Sequence, residues 1–285
     1  MESISYRDTD YGYMNDLRSM YILFKYQIKF YLKTRRFVAM LIIVALITAL
    51  TVGIDLYEGV TKSTAGFANS ADFIAGSLSG PLITSIGIVA AFFGGDATSI
   101  ETGTNSGYFI MTQPVRKISI LMGRFFAAVL LGFLLIMIEY AGVAGLSQDF
   151  YGTISAGIFL SIIETLFLIA SFTAVAFLFS SIFKNPLIGI LFSVIVFILV
   201  FAIVQGILEI TNIEPWFILN YGGEVVTEIL SPSSIAHVTS IKTPAFTIKK
   251  YEPYIWEGNT IMGGYLVISL ILSYIIFRSK EVRPQ

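Results

Sequence analysis

Hydrophobic runs long enough to cross a bilayer alternate along the chain with polar stretches. The runs are Phe37–Ile54, Phe73–Gly95, Phe125–Ser147, Ala156–Ser181, Leu187–Leu208 and Thr260–Phe277. The shortest gives about 27 Å of helix at 1.5 Å per residue, close to the thickness of a hydrocarbon core. The pattern predicts an all-α, polytopic membrane protein with six spans in one transmembrane domain. Before the first run, Leu17, Tyr21, Phe24, Ile28 and Leu32 recur at helical spacing, with Lys25, Lys29 and Lys33 along one flank. Residues 15–34 therefore read as an amphipathic helix lying among lipid headgroups, either an elbow leading into the first span or a plain topological anchor. Met1–Tyr13 has neither the basic start nor the apolar core of a cleaved leader, so the first span is expected to be retained.

Two runs depart from a uniform apolar helix. The second contains Gly80-Pro81 together with Ser77, Ser79, Thr84 and Ser85. A proline inside a span frees a backbone carbonyl, so a kink facing protein or a cavity is expected. The fifth carries Phe192, Phe197 and Phe201, with Gln205 near its end. Ser77 and Thr84 serve either packing or a transport path; the three phenylalanines and Gln205 read as lipid-facing or core packing. The segment Glu209–Asn259 is polar but holds apolar pieces, Pro215–Leu219 and a helical stretch near Glu224–Leu230. Short interfacial helices between spans five and six are expected there, with Trp216 and Trp256 at headgroup depth.

Composition strengthens the membrane assignment: 55% of the 285 residues are hydrophobic and only 13% charged, about half the charged share of a soluble domain; the mean hydropathy is +0.80. Of 18 Lys and Arg, only Lys62, Lys242, Lys249 and Lys250 fall on the side opposite the N-terminus. That asymmetry predicts a cytoplasmic-membrane protein with both termini and the loop 96–124 in the cytoplasm, and residues 209–259 outside. A net charge of −1 argues against nucleic-acid binding, which needs a cationic surface. The absence of cysteine removes thiol catalysis and thiolate metal sites.

The longest polar interruption in the middle of the chain is Asp96–Arg124. Ile100, Thr104, Tyr108 and Met111 share one arc of a helical wheel, which Pro114 then ends. The order Asp96, Glu101, Gln113-Pro114-Val115, Arg116, Ile120-Leu121 and Gly123-Arg124 resembles the loop between the second and third spans of ABC-2 type transporter permeases. That family commonly has Gly-Thr where Asn105-Ser106 stand here. The resemblance implies an exporter subunit whose short loop helix, here Ile100, Glu101, Thr104, Tyr108 and Met111 with Arg116 after it, couples to a partner ABC ATPase. ATP and Mg would bind that partner and not this chain. It also implies a second permease subunit, identical or different, and extends to an elbow helix and to short outer helices before the last span. Only if spans two and five of two copies face each other, as the resemblance implies, would Phe192, Phe197, Phe201 and Gln205 line a substrate path.

Other chemistry is sparse. No G-x-x-x-x-G-K-[ST] occurs, so the chain holds no P-loop. The single histidine, His237, has no H-x-x-x-H partner and reads as a surface residue, and neither a metal nor a catalytic constellation is expected. Glu139 and Glu164 are embedded in apolar runs, on the order of 12–14 Å below the outer ends of adjacent spans at helical rise. They read either as a cation- or proton-binding pair or as neutral groups that hold the bundle together. The rival function is accordingly an ion-coupled secondary transporter; a third is a membrane anchor that transports nothing.

Overall fold

The computed structural model describes residues 12–62, 67–99, 116–230, 237–242 and 247–279. The chain is an all-α bundle: α1 (Gly12–Lys33), α2 (Arg35–Lys62), α3 (Ser70–Leu78), α4 (Pro81–Gly94), α5 (Lys117–Tyr151), α6 (Ile158–Ile182) and α7 (Pro186–Ile210) come first. Two short helices, α8 (Leu219–Gly223) and α9 (Val225–Glu228), then precede a hairpin of β1 (Val238–Lys242) and β2 (Thr247–Tyr251), and α10 (Ile255–Ser279) closes the chain. Among the described residues five helices are long and apolar enough to cross a membrane, and α3 with α4, bent by 44° to one another, passes the same test as a pair. The helices outrun the hydrophobic runs at most ends, because helix continues into the headgroup zone where polar side chains meet water.

Local chemistry sets the breaks. A single residue, Thr34, separates α1 from α2; its hydroxyl and its N–H both bond to the Tyr31 carbonyl, at 2.7 and 3.0 Å. Pro81 occupies the first turn of α4, where its missing N–H costs nothing, so the expected kink is a break between two helices. Within α7, residues Ile195–Val200 are wound as π-helix, a single widened turn that sequence periodicity does not reveal. The segment after α7 holds the expected short helices and, in addition, the two-stranded antiparallel hairpin, in which Val238 pairs with Tyr251 and Lys242 with Thr247.

The helices do not share burial equally. In α5 and α6 more than half of the spanning window is buried, 61% and 56%, against 22% in each of α2, α7 and α10. The first two form the centre, and the other three present Leu46, Leu50, Leu199, Ile203 and Val267 outward, as lipid-facing helices do. Hydroxyls tie the layers together where water is absent: Tyr140 of α5 bonds to Ser161 and Thr165 of α6 at 2.6 and 2.7 Å, and Ser171 of α6 donates to the Met262 carbonyl of α10 at 2.9 Å.

One end of the bundle, here called the basic end, gathers the start of α2, the end of α4, the start of α5, the end of α6 and the start of α7. The other is the hairpin end. At the basic end the last turn of α4 meets α7 backbone to backbone: a Cβ on Gly95 would lie 2.8 Å from the Ile190 Cα, and one on Gly189 would strike the Gly95 carbonyl. Only glycine at both positions permits this approach. Gly189→Ala should therefore destabilise the protein by about 1–3 kcal/mol, as overpacking does, read as a lowered midpoint of thermal unfolding in detergent.

Candidate functional site

The site begins where α4 runs out. Asp96 lies two residues beyond that helix, its side chain fully buried. Arg36, in the first turn of α2, donates to its Oδ2, while Oδ1 has no partner among the described residues. Arg124, in the second turn of α5, donates to the next carbonyl, that of Ala97. Burial pushes the Asp96 carboxyl up from an ordinary 3.8 to about 6, although Arg36 and Arg124 both act to hold it down. The desolvation of one carboxylate thus outweighs two nearby cations, partly because the Arg36 side chain is itself 49% exposed and screened by water.

Thr98 and Ser99 complete the clamp. Both of their N–H groups donate to the Ser180 hydroxyl near the end of α6, at 2.9 and 3.1 Å. The Thr98 and Ser181 hydroxyls share a hydrogen bond at 3.1 Å, and Ser181 shares another with Ser273 of α10 at 2.7 Å. Three helices, α2, α5 and α6, therefore hold the chain immediately before residue 100, and α10 backs them through Ser273. Tyr31 of α1 adds a contact one turn earlier, donating to the Phe93 carbonyl at 2.9 Å.

The chain is held again where it returns. Arg116 pairs with Asp16 of α1 at 2.9 Å, and Lys117 donates to the Arg278 carbonyl at the end of α10 at 3.2 Å. Both contacts are exposed and individually weak. Closer packing comes from Gly123, where a Cβ would lie 2.9 Å from the Met20 carbonyl and 3.0 Å from the Leu23 Cβ. The adjacent Gly123-Arg124 pair thus does two jobs: the glycine lets α1 lie against α5, and the arginine caps the carbonyl at Ala97. Of the candidate coupling residues, Ile100, Glu101, Thr104, Tyr108 and Met111 lie outside the described residues; Arg116 is described, and it is 66% exposed.

The two intramembrane carboxylates occupy different surroundings. Glu139 of α5 is fully buried, neither oxygen has a hydrogen-bond partner among the described residues, and the polar group facing it is the Ser85 hydroxyl of α4. Glu164 of α6 is half-buried and accepts a hydrogen bond from Asn259 of α10 at 3.2 Å. The structure brings each to a different neighbour, and it does not bond one to the other.

The candidate path residues also divide. Phe197 lies in the π-helical turn, 2% exposed, its ring 4.9 Å from Phe172 and edge-on to it. A Cβ on Gly87 would come within 3.3 Å of it, so α7 packs directly on α4 here. Phe201 and Tyr265 line an apolar groove of about 550 Å³ between α6, α7 and α10, whereas Phe192 is 40% exposed. Gln205 donates to Glu209 and Glu224, at 3.0 and 2.7 Å, tying the end of α7 to the hairpin-end cap. Ser77 is buried in α3, and Thr84 bonds back to the Gly80 carbonyl at 3.2 Å.

At the hairpin end, the break between α3 and α4 opens onto a cleft of about 430 Å³ lined by Asp72, Glu224, Glu228, Lys250 and Glu252. Burial raises both Glu224 and Glu228 to about 7, with the like charge of Glu252 adding to it. The sequence reading passed over this acidic cluster, and also over Arg36 and the Ser180-Ser181 pair. Arg35-Arg36 at a span edge reads as a topological signal, and only the fold reveals that one of the two turns inward.

A bundle of apolar helices with a small cap at one end has the form of a multi-pass membrane protein. A family model described as ABC-2 family transporter protein matches residues 21–282, and the chain belongs to that family. A comparison with curated proteins returns no match.

Asp96 makes a pH dependence testable. Because its folded value lies above its unfolded one, the folded state holds the proton more tightly, and stability falls as pH rises from about 4 to about 6. Asp96→Asn removes this component. The wild-type minus variant difference in unfolding midpoint should therefore decline across that window and level off above it, whereas a flat difference would assign the pH response to other groups.

Proposed function

We propose that the protein is the permease subunit of an ATP-driven exporter, working as a dimer with two ABC ATPase subunits and moving a substrate across the cytoplasmic membrane. Both termini and the basic end face the cytoplasm in this reading, and the chain itself hydrolyses nothing. Membership of the ABC-2 family and the excess of cations at one end support it. The observation that carries it is the anchorage of both flanks of residues 100–115. Asp96, Ala97, Thr98 and Ser99 engage α2, α5 and α6 on one side, and Arg116, Lys117 and Gly123 engage α1 and α10 on the other. A force applied to that loop would reach the helices directly, as a docking element for an ATPase requires.

Tyr108 and Met111 are the apolar residues such a docking helix would bury, and Glu101 would orient it. Tyr108→Ala should lower the partner ATPase's association by at least about tenfold, equivalent to about 1.4 kcal/mol, with the permease dimer intact. Co-purification from detergent reads the effect, and unchanged ATPase recovery from the triple Glu101, Tyr108 and Met111 alanine variant would move the docking site elsewhere. Orientation is tested separately. The chain has no cysteine of its own, so single cysteines at Thr102 and Thr239 should label oppositely with an impermeant reagent on intact cells, Thr239 from outside.

A second reading, ion-coupled transport through Glu139 and Glu164, is favoured by the buried carboxyl of Glu139, which has no hydrogen-bond partner among the described residues. In the exporter reading Glu139→Gln keeps ATP-dependent transport in vesicles and changes only thermal stability. Loss of transport with the fold and ATPase association preserved supports ion coupling.

A further inference from the structure

Three segments distant in sequence converge at the hairpin end: the turn after α7, the start of β1 and the first turn of α10. They contribute Glu214, His237 and Glu257, all half-buried, with one ligand atom from each lying within 4.8 Å of the other two. The His237 Nε2 is 3.7 Å from the Glu214 Oε1. The other ring nitrogen, Nδ1, is 2.7 Å from the Glu252 carbonyl oxygen. A carbonyl only accepts, so Nδ1 carries the hydrogen, and a neutral ring then turns the lone pair of Nε2 toward the carboxylates.

The three groups are also held in place. The imidazole stacks on Tyr254 with ring centres 4.4 Å apart, and the Glu252 N–H donates back to the His237 carbonyl at 3.0 Å. The Tyr221 hydroxyl donates to the Glu214 Oε1 at 2.7 Å, and the Tyr254 N–H donates to the Glu257 Oε2 at 3.1 Å. Each candidate ligand thus has an outer partner that fixes its direction, and a histidine locked by a carbonyl on its far nitrogen is the arrangement that orients metal ligands. Three acceptors gathered this closely repel one another unless a metal cation, or a proton on Nε2, lies between them.

We propose that Glu214, His237 and Glu257 bind a divalent transition-metal ion of the zinc type. One imidazole and two carboxylates suit a borderline ion; calcium and magnesium prefer oxygen alone, and without cysteine the site offers nothing to soft ions. Tetrahedral bonds of about 2.0–2.2 Å place ligand atoms about 3.4 Å apart, so the His237–Glu214 pair stands almost at the required spacing. Three protein ligands leave further positions for water. The ion would cross-link the end of span five, the hairpin and the start of span six, and it does so whichever way the protein faces and whatever drives transport.

Zinc titration of the chelator-stripped, full-length protein in detergent, purified without a histidine tag and followed by calorimetry, tests the proposal. The chain has one histidine and no cysteine, so an imidazole-dependent signal has one source. The expected result is saturable uptake of one Zn²⁺ per chain and a raised unfolding midpoint. Affinity should fall by more than about tenfold, beyond the lower bound for losing a mere outer partner, in His237→Gln, Glu214→Gln and Glu257→Gln. Glu257→Gln keeps the imidazole and its clasp on the hairpin, so it serves if the histidine variant does not fold. No saturable uptake by the wild type, or uptake unchanged in the variants, overturns the site. Destabilisation of His237→Gln without any zinc binding by the wild type also overturns it and marks an imidazolium–carboxylate ion pair.

Discussion

Within hydrocarbon no water is present to satisfy a backbone amide or carbonyl, and every such group must find its partner inside the protein. That constraint governs where this chain stays helical and where it does not. Four of the spans run unbroken through their middles; the exceptions are the break at Gly80-Pro81 between α3 and α4 and the π-helical turn in α7. Where the helix widens inside α7, the carbonyl of Phe197 accepts from the Asn220 side chain of α8 at 3.4 Å. Serine and threonine act by the same rule: they bond back to carbonyls of their own helix, as Thr48, Thr51 and Ser193 do, or bridge to the neighbouring helix, as Ser171 does to α10. Apolar packing alone gives little reason for helices to prefer one another over lipid tails, so these hydroxyl bridges and the glycine contacts specify which helix lies against which.

The same constraint explains the character of the basic end. A carboxylate as buried as that of Asp96 is costly, and pairing it with Arg36 offsets only part of the cost. Its contribution is specificity of position: the chain leaving α4 is registered against the starts of α2 and α5 and the end of α6 before it enters the loop. Removing Arg36 would leave a buried acceptor without its cation, a change that typically costs about 1–3 kcal/mol.

Much of this was legible in the sequence. Six hydrophobic runs of sufficient length, a basic amphipathic helix ahead of them and a polar loop with a Gly-Arg pair at its end are all local patterns, and the fold and the family follow from them. The break at Gly80-Pro81 is equally local, since proline declares its own geometry. The π-helical turn in α7 leaves no trace in the pattern, because Ile195–Val200 is apolar whichever way it winds. Long-range pairs were also hidden. Ser180 and Ser181 look like any small residues at a span end until the fold sets them against Thr98 and Ser99. His237 has no ligand within helical or hairpin spacing, and its two carboxylate neighbours come from segments on either side of the hairpin. The segment 100–115, within the longest polar interruption in the middle of the sequence, lies outside the described residues.

The length of α5 has a mechanical consequence. Its 35 residues make a rod of about 52 Å at 1.5 Å per residue, against roughly 30 Å of hydrocarbon, so it emerges into the headgroup layer at both faces. At one tip it carries Lys117 beside the clamped loop, and at the other Tyr151, whose hydroxyl donates to the Phe67 carbonyl ahead of α3 at 3.2 Å. When a stiff rod tilts about its middle, its tips sweep in opposite directions. A tilt of α5 that moves its Lys117 tip would thus move the Tyr151 tip, and with it the chain ahead of α3, the opposite way, with no relay of side chains needed between them.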